Sequence, residues 1–346
     1  MSALSVKNLH IAYQQQTVIA NLNLTIEQGE IVALFGPSGG GKSTILKAIA
    51  GLLDQVSGEI AIGDKVVLSE TVNLAAEKRH TGLIFQDYAL FPHLTVAENI
   101  AFGLNQLTKA EQVSKVEKML TLIKMLEYKD KYPHQLSGGQ QQRIAIVRAL
   151  ACEPKILLFD EAFSNIDPQF RFELIADIRD LLKTQGISVL FVTHNQDEAF
   201  AFCDRIAVLN QGKIEQIDQA ERLFNYPASR FVAEFLGEGL WLSAKVESEV
   251  QLSSELGLIT YCGDTNITHL IGTKVDVYLR PHHLKLSPST QTDLYVDHER
   301  FVGEFYQSDL TWSGQKIKVK SRQSFLNKPV EIQVDTQIST VFESSH

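Results

Sequence analysis

One glycine-rich segment constrains this chain more than any other feature of its sequence. Residues Gly36–Thr44 read GPSGGGKST, and they lie between an apolar run, Ile31–Phe35, and a helix-like stretch that ends at Gly51. This spacing fits G-x-x-x-x-G-K-[ST], in which backbone N–H groups of the loop and of the helix N-terminus surround phosphate oxygens. In that pattern the Lys42 ammonium reaches the terminal phosphates and the Ser43 hydroxyl binds Mg²⁺. The segment therefore predicts a phosphate-binding loop between a strand and a helix.

A second glycine cluster, Leu136–Gln140, follows about a hundred residues later. Ser137 and Gln140 have the spacing of a capping box, so we expect a helix to begin here. The cap does not explain two glycines in the first helical turn, because each costs ~1 kcal/mol relative to alanine. Glycines suit a backbone that a phosphate approaches closely, and the cluster therefore predicts a second phosphate-binding segment.

Four short apolar runs without alternation predict strands that are buried on both faces of a parallel sheet. The runs are Ile31–Phe35, Leu83–Phe85, Ile156–Phe159 and Val189–Val192. Polar residues or glycine follow each run at once, namely Gly36, Gln86, Asp160 with Glu161, and Thr193 with His194. Because ligands of open α/β sheets bind at the carboxyl ends of the strands, we expect these residues to share one edge of one sheet.

The polar residues at this edge have both chemical and structural interpretations. An acid after a buried strand, such as Asp160, holds the Mg²⁺ shell in P-loop NTPases. A second acid, Glu161, can polarise the attacking water, since paired carboxylates take separate roles in different environments; the alternative is a solvated loop pair. Taken alone, Gln86 would be a surface residue and His194 a structural one. Tyr13 is in phase with apolar neighbours on a first strand, so it suits core packing as well as adenine stacking.

The pattern changes along the chain, which is long enough for two domains. We expect a helical subdomain at about residues 87–151, inserted between the second and third strands of the sheet, and a further helix that starts at Asp167-Pro168. After Gly237, short alternating runs predict half-exposed strands of a small barrel or sandwich. We place the domain boundary between residues 236 and 237.

Composition excludes several classes of protein. The net charge is −9, and neither half of the chain has the basic excess of a nucleic-acid binder. The three cysteines have neither disulfide-framework nor metal-site spacing, which fits a reducing cytosol. No apolar run approaches the ~18–20 residues that span a bilayer, and the first residues lack the pattern of a secretory signal. We therefore expect any membrane association to come through a protein partner.

Taken in order, these motifs resemble the ATP-binding subunits of ABC transporters over about the first 235 residues. The matches are Tyr13 (A-loop), Gly36–Thr44 (Walker A), Gln86 (Q-loop), Leu136–Gln140 (signature), Leu157–Glu161 (Walker B), Ser164–Asp167 (D-loop) and His194 (switch histidine). Two residues depart from the family pattern. Ala162 stands where proline is usual, and Asn195 stands where an acid often follows the switch histidine. Neither departure removes a catalytic group, so we expect activity to survive.

The resemblance implies an α/β P-loop NTPase domain of ABC type at residues 1–236, and an OB-like or TOBE-like all-β regulatory domain at residues 237–346. It also implies a homodimer with each ATP between two chains. One chain would contribute Tyr13, Gly36, Pro37, Ser38, Gly39, Gly40, Gly41, Lys42, Ser43, Thr44 and Gln86, and the other Ser137, Gly138, Gly139 and Gln140. Mg²⁺ would be held by Ser43, Gln86 and Asp160. Glu161 would act as general base or water positioner, with Lys42 and His194 stabilising the transferring phosphoryl group.

The C-terminal half narrows the resemblance to importers. Tyr226-Pro227, Phe235–Gly239 and Leu279–Pro281 are similar to the ATPases of ferric-ion importers, although importers of sulfate, molybdate, polyamines or sugars share much of this pattern. The resemblance thus implies an ATP-hydrolysing subunit of a bacterial Fe³⁺ importer, with those other cargoes as alternatives. It implies integral membrane permease subunits, an extracytoplasmic binding protein as an indirect partner, no nucleic acid, and a peripheral location on the cytoplasmic face of the inner membrane.

Alternatives from other classes fit less well. A soluble ABC ATPase of chromosome organisation would need a long heptad insertion, but only 118 positions separate Lys42 from Asp160. Translation-type members usually carry two cassettes, and this chain has one signature. A P-loop phosphotransferase would leave Ser137–Gln140 without a purpose. The adjacent pair His282-His283, without other ligands nearby in sequence, is interpreted as structural and not as a metal sensor.

Overall fold

The computed structural model describes residues 2–13, 16–334 and 337–344. Contacts between Cα atoms divide the chain into two compact units, residues 1–220 and 221–346. This division falls earlier than the boundary expected at residue 236, because the segment before Gly237 is tied to the C-terminal strands. Arg280 donates to the Phe224 carbonyl, and Arg230 pairs with Asp276. The assignment of residues 237–346 to a separate domain stays a prediction.

The first unit combines strands and helices. In chain order its strands are β1 (Ser2–Tyr13), β2 (Gln16–Glu27), β3 (Ile31–Phe35), β4 (Val56–Ile62), β5 (Lys65–Leu68), β6 (Thr81–Ile84), β7 (Ile156–Asp160), β8 (Ser188–Thr193), β9 (Arg205–Asn210) and β10 (Lys213–Asp218). Its helices are α1 (Lys42–Ala50), α2 (Val96–Ala101), α3 (Lys109–Leu122), α4 (Gly138–Ala151), α5 (Pro168–Thr184) and α6 (Gln196–Phe202). Helix α7 (Ala220–Asn225) begins at the last residue of this unit.

A six-stranded sheet in the order β10-β9-β3-β8-β7-β6 carries the four strands that the apolar runs predicted. Strands β9 to β6 run parallel, and every residue of β3 and of β8 is buried. The register places Phe35 opposite Thr193, and Asp160 opposite Val192. The carboxyl ends of three strands therefore meet at one edge, as expected.

A second sheet, in the order β2-β1-β4-β5, is antiparallel. Of its four strands, the sequence predicted only β1. Its apolar residues share one buried core with α1 and with the parallel sheet; Ile19, Ile45 and Leu34 are examples from the three layers. Helix α1 is thus held between two sheets, which fixes the direction of its N-terminus.

The helices α2, α3 and α4 lie between β6 and β7 in the chain, which confirms the inserted helical subdomain. Helix α4 begins at Gly138, directly after the cap residue Ser137, as the sequence predicted. The Ser137 hydroxyl accepts from the Gln140 N–H, and the Gln140 side chain accepts from the Ser137 N–H. The capping box that the sequence predicted is therefore present.

The second unit is mainly built from strands. After α7 come α8 (Arg230–Phe235) and the strands β11 (Leu240–Ser248), β12 (Gln251–Ser254), β13 (Gly257–Thr260), β14 (Lys274–Leu279), β15 (Leu284–Pro288), β16 (His298–Phe301), β17 (Tyr306–Trp312), β18 (Gln315–Ser321), β19 (Val330–Val334) and β20 (Val341–Glu343). They form sheets in the orders β13-β12-β11-β14-β20, β15-β19 and β16-β17-β18. One hydrophobic cluster contains residues of all three sheets, for example Val277, Leu286 and Val319. The prediction of a small C-terminal β unit is confirmed.

No helix among the described residues combines the length and the apolar character needed to cross a membrane.

The histidine pair of the second unit lies against a buried arginine. Arg280 stacks on the Phe224 ring and donates to the carbonyls of Phe224 and Gly237. His283 Nδ1 accepts from the Arg280 N–H at 3.1 Å, so the ring caps this turn. Burial, together with the neighbouring His282 and Arg280, lowers the pKa of His283 to about 4. The described residues contain no cluster of three or more metal-ligating side chains.

The depressed pKa predicts an acid-sensitive second unit. A histidine ordinarily titrates near 6.5, whereas folded His283 stays neutral to about pH 4. Between these values the unfolded chain binds a proton that the folded chain does not, so stability falls as the pH falls. Replacing His283→Asn keeps an acceptor for the Arg280 N–H, and we expect its urea unfolding to be less sensitive to pH between 7 and 5. Substitution of the exposed His269 by Asn is the control, and equal pH dependence in all three proteins would contradict the assignment.

Candidate active site

The glycine-rich loop joins β3 to α1, and the fold itself requires two of its glycines. A Cβ on Gly36 would lie 2.3 Å from the Leu209 carbonyl oxygen. Gly41 has φ +92, and a Cβ there would lie 2.6 Å from Ile19 Cδ1. Gly41 also caps α1 without any side-chain acceptor. The first N–H groups of α1 are therefore left without a side-chain cap, in the arrangement that favours an anion.

Lys42 is the first residue of α1, and its side chain folds back across the loop. Its ammonium donates to the Gly36 carbonyl at 2.8 Å and to the Pro37 carbonyl at 2.9 Å. Only 6% of the residue is exposed. Burial lowers the pKa of Lys42, while the nearby carboxylates of Glu161 and Asp160 act to raise it. The loop thus holds a buried positive charge on carbonyl oxygens that a stronger anionic acceptor can replace.

The next residue connects the loop to β7. The Ser43 hydroxyl donates to Asp160 Oδ1 at 2.8 Å, although the two residues are 117 positions apart. Asp160 is the last residue of β7, and Ser43 lies in the first turn of α1. The structure therefore brings together two of the three residues predicted to bind the metal, and hard oxygen donors suit Mg²⁺.

Glu161 follows β7 in a strained backbone conformation. Its φ is +50, uncommon for a residue other than glycine, and its N–H donates to the Val192 carbonyl of β8 at 2.9 Å. Its Oε1 lies 3.0 Å from His194 Nδ1. His194 follows β8, and its side chain is 55% exposed. The carboxylate and the imidazole are thus paired at the edge of the sheet and open to an approaching ligand.

A buried aromatic cluster packs beneath the residues of this edge, on β7, β8, α6 and the turn after Glu161. The rings of Phe159, Phe163, Phe191 and Phe202 are fully buried, and their centroids are 5.0 to 6.4 Å apart. Phe159 and Phe163 flank the Glu161 turn in sequence, and Phe191 lies on β8. Such close packing over-determines the local backbone, which explains how the strained turn persists.

A buried carboxylate that sequence reasoning missed supports the His194 turn. Glu198 is only 2% exposed, and burial raises its pKa. It accepts from the Thr193 hydroxyl at 2.8 Å and lies 3.4 Å from the Arg171 guanidinium. Arg171 also donates to the Ile166 carbonyl at 3.0 Å. These contacts link Ile166, before α5, to Thr193, the residue before His194. The sequence gave no indication of this role, because Glu198 is a single acid within a helical pattern.

Gln86 lies in the exposed turn after β6. Its backbone carbonyl accepts from Asn165 Nδ2 at 2.8 Å. Asn165 belongs to the segment between Glu161 and α5. The structure therefore ties the turn that carries Gln86 to the segment that resembles the D-loop, a contact that the sequence did not indicate.

The second glycine cluster opens onto a separate cleft of about 710 Å³. Ser137, Gly138, Gly139 and Gln140 line it, together with Asn165 and residues of α5. A Cβ on Gly138 would meet the nearest atom at 3.5 Å, which is ordinary contact. Packing within one chain therefore does not require glycine at this position.

The predicted residues thus fall into two groups. Lys42, Ser43, Asp160, Glu161 and His194 are close together at the sheet edge, as the hydrogen bonds and charge interactions show. Among the described residues that line the cleft of the second cluster, none belongs to Gly36–Thr44. Tyr13 ends β1, but its side chain is outside the described part of the structure, so its role stays a prediction.

Comparisons with known proteins agree on one family. The ABC transporter family matches residues 19–164. The chain is 40% identical over 319 residues to the sulfate/thiosulfate import ATP-binding protein CysA of Halalkalibacterium halodurans, which covers 89% of this chain and 87% of that protein. It is 36% identical to the Fe(3+) ions import ATP-binding protein FbpC of Photorhabdus laumondii, over 94% of this chain and 92% of that protein.

The chain belongs to the ATP-binding proteins of ABC transporters. A further relative in this family is the spermidine/putrescine import ATP-binding protein PotA of Chromobacterium violaceum, 38% identical over 83% of this chain and 80% of that protein. A solved dimer of the ATP-binding cassette MJ0796, in a post-hydrolysis state bound to ADP and Pi, matches with a TM-score of 0.54 and 31% identity. It covers 63% of this chain and 98% of that one. The predicted family and fold class are confirmed.

The two departures from the family pattern have local structural consequences. Ala162 is fully buried beside the aromatic cluster. Asn195 caps α6, because its Oδ1 accepts from the N–H groups of Asp197 and Glu198 at 2.9 and 3.2 Å. Aspartate and asparagine are about equally good N-caps. Asn195 therefore performs the capping that an acid would perform at this position in the ABC family.

Substitutions of Asn195 test this interpretation. We expect Asn195→Ala to lower the free energy of unfolding by about 1 kcal/mol, because two N–H groups of α6 lose their acceptor. Asn195→Asp keeps the acceptor and should leave the value nearly unchanged. Urea unfolding of the three proteins measures the difference. Equal loss in both variants would show that side-chain capping is not the role of Asn195.

Proposed function

We propose that this protein is the ATP-hydrolysing subunit of a bacterial importer, peripheral to the cytoplasmic face of the membrane through permease subunits. The observation that carries the proposal is the convergence of Lys42, Ser43, Asp160, Glu161 and His194 at one sheet edge. The relatives described above are all named as import ATP-binding proteins, which supports the transport role.

The edge of the sheet fits a nucleotide phosphate chain. Uncapped N–H groups at the start of α1 and the buried Lys42 ammonium supply positive potential. In the proposal the β- and γ-phosphates replace the Gly36 and Pro37 carbonyls as acceptors for Lys42. The residues Gly36 to Thr44 then surround the phosphates, and Tyr13 is the candidate for stacking on the adenine.

The neighbouring oxygen groups fit Mg²⁺. Ser43 and Asp160 share a hydrogen bond of 2.8 Å, so the fold already holds together two groups that would bind the cation. Gln86 is the third proposed ligand. When bound, Mg²⁺ neutralises charge that develops on the phosphate oxygens.

The chemistry proposed for Glu161 and His194 follows from their pairing. The Glu161 carboxylate orients a water against the γ-phosphorus and accepts its proton as the new P–O bond forms. The bond to the β-phosphate oxygen breaks, and ADP leaves with that negative charge. Lys42 and His194 stabilise the charge on the transferring phosphoryl group. His194 Nδ1, 3.0 Å from Glu161, also fixes the orientation of the carboxylate.

A second copy of the chain completes the proposed site. In one chain the cleft of Ser137–Gln140 contains no residue of Gly36–Thr44 among its described lining. The N-terminus of α4 and a glycine that internal packing does not require suit a phosphate presented by a partner. ATP then binds the closed dimer better than the open one, and hydrolysis removes that preference. The dimeric state of the solved relative supports this arrangement.

Replacing Glu161→Gln tests the chemistry and the dimer together. We expect ATP to bind, and turnover to fall about 10²–10⁴-fold, the range for loss of a general base. Because the γ-phosphate then persists, this variant should dimerise in the presence of ATP. Turnover is measured by phosphate release, and dimerisation by sedimentation with and without nucleotide.

The control is Glu153→Gln, the same change at an exposed ion pair with Lys115, which should leave turnover unchanged. Adding Ser137→Ala to the Glu161→Gln chain should weaken the ATP-dependent dimer. Near-normal turnover of Glu161→Gln would remove Glu161 from its role. The shared site would instead be refuted if the dimer forms without ATP, or if Ser137→Ala leaves the ATP-dependent dimer unchanged.

We propose ferric iron as the cargo, in agreement with the resemblance of the C-terminal half. Five relatives with 36 to 40% identity are named as Fe(3+) ions import proteins. Sulfate is the second candidate, because CysA matches with 40% identity over 89% of the chain. The cargo does not contact this subunit in the proposed assembly, so its identity is decided by the partners.

Reconstitution with the co-purified membrane subunits decides between these cargoes. In liposomes we expect a binding protein loaded with iron to stimulate ATP hydrolysis several-fold, whereas sulfate-loaded protein should not. The unloaded binding proteins are the control. Stimulation by sulfate-loaded protein alone would refute the ferric assignment and leave the importer assignment intact.

A further inference from the structure

The turn that carries Gln86 contains two consecutive residues in a rare backbone conformation. Tyr88 has φ +62 and Ala89 has φ +45, and neither is glycine. Such conformations are uncommon, and a bulky residue such as Tyr88 makes this a true outlier. Such a conformation is energetically costly and persists only where the surroundings fix the backbone. The turn therefore needs a specific restraint.

Arg148 provides that restraint. Its Nη1 donates to the Ala89 carbonyl at 2.6 Å, and its Nη2 donates to the Tyr88 carbonyl at 3.0 Å. The guanidinium lies 5.7 Å from the centroid of the Phe91 ring. A planar guanidinium holds two N–H donors in a rigid fork and so fixes two neighbouring carbonyls in one geometry, whereas the donors of an ammonium rotate on a flexible stem. Arg148 thus holds the carbonyls of both strained residues.

The segments on both sides of the strained pair are also anchored. Asn165 Nδ2 donates to the Gln86 carbonyl at 2.8 Å. Beyond the pair, the buried Asn99 side chain accepts from the Phe91 N–H at 2.9 Å and donates to its carbonyl at 3.1 Å. Arg148 is therefore the restraint on the middle of a turn whose two ends are already fixed.

The position of Arg148 along its helix gives the contact a functional meaning. Arg148 lies on α4, the same helix that Ser137 caps. Helix α4 is one continuous element of 14 residues, with Ser137 at its start and Arg148 near its end. One helix therefore carries both the capped N-terminus and the residue that contacts the turn of Gln86.

We propose that Arg148 is a positioning residue, which holds the strained Tyr88–Ala89 turn and thereby keeps Gln86 at the edge of the catalytic site. The inference rests on the proposed function, in which Gln86 is a Mg²⁺ ligand. Arg148 itself contacts neither nucleotide nor metal. It links the Ser137 end of α4 to the metal side of the site within one chain.

The first test uses the full-length chain without nucleotide. Replacing Arg148→Lys keeps the positive charge but loses the rigid fork of paired donors. The Tyr88 N–H donates to the Phe85 carbonyl at 3.0 Å, and hydrogen exchange at this amide reports opening of the turn. We expect exchange about 10-fold faster in Arg148→Lys, as when a charge-assisted hydrogen bond that resists local opening is lost. Arg179→Lys, which alters an arginine bonded to Phe202 and Asp204, is the matched control and should leave this amide unchanged.

The second test measures ATP hydrolysis against Mg²⁺ concentration. We expect Arg148→Lys to raise the half-saturating Mg²⁺ concentration about 10-fold, the lower limit for loss of a group that orients a metal ligand. The maximal rate at saturating Mg²⁺ should fall less. A purely structural role would lower the unfolding temperature and the maximal rate without changing the Mg²⁺ requirement.

Relief of strain provides the rescue. Glycine adopts positive φ without steric cost, so Ala89→Gly should stabilise the turn independently of Arg148. In the Arg148→Lys chain, Ala89→Gly should return both Tyr88 exchange and the Mg²⁺ requirement towards the parent values. Failure of this rescue, or an unchanged Mg²⁺ requirement in Arg148→Lys, would overturn the inference.

Gln86→Ala separates this inference from the proposed function. If Gln86→Ala raises the Mg²⁺ requirement and Arg148→Lys does not, the positioning role is refuted while the proposed metal site stands. If Gln86→Ala leaves the requirement unchanged, the proposed metal role of Gln86 is refuted, and with it the positioning of a ligand by Arg148. The exchange measurement still shows in that case whether Arg148 restrains the turn.

Discussion

The parallel register of β3, β8 and β7 is the constraint on which the rest of this structure depends. These strands are buried on nearly all positions, and their pairing places Phe35, Thr193 and Asp160 at one edge. Side chains alternate along a strand, so a shift by one residue would move apolar residues out of their packing. The same shift would separate Ser43 from Asp160, which now share a hydrogen bond of 2.8 Å. Burial of the sheet therefore specifies the geometry of the polar edge.

The polar edge concentrates charge and backbone strain that the surrounding core must hold in place. The buried Lys42 ammonium donates to backbone carbonyls, and Glu161 adopts a positive φ between buried phenylalanines. Tyr88 and Ala89 repeat this pattern one strand away, with Arg148 as the restraint. Strained conformations are found where structure over-determines them, and they keep polar groups in orientations that a relaxed chain would not choose. Close packing of the core therefore maintains the backbone conformations that orient the polar residues of the site.

Within one chain, the fold keeps apart the two glycine-rich segments that the proposed reaction needs at one nucleotide. The loop of Gly36–Thr44 begins α1, whereas Ser137 begins α4 and opens onto another cleft. A helix N-terminus with free N–H groups attracts an anion in each place. In the proposed dimer, the two segments of each chain would combine with those of the partner into two complete sites, so the dimer would respond to the nucleotide. Helix α4 carries both Ser137 and Arg148, which donates to the turn after Gln86.

The sequence by itself determined the four buried strands, the phosphate loop, the capping box at Ser137 and the residues of the sheet edge, because these depend on local patterns. Apolar runs, glycine spacing and caps act over a few residues and need no distant partner. Only the tertiary structure decided which distant groups pair: Asn165 with Gln86, Glu198 with Arg171, and Arg148 with the strained carbonyls. Most of the antiparallel sheet of β1, β2, β4 and β5 also escaped prediction, and its pairing of β1 with β4 joins strands far apart in sequence. Local periodicity can be read from the sequence, whereas contacts between residues far apart in sequence form only when the chain folds around its core.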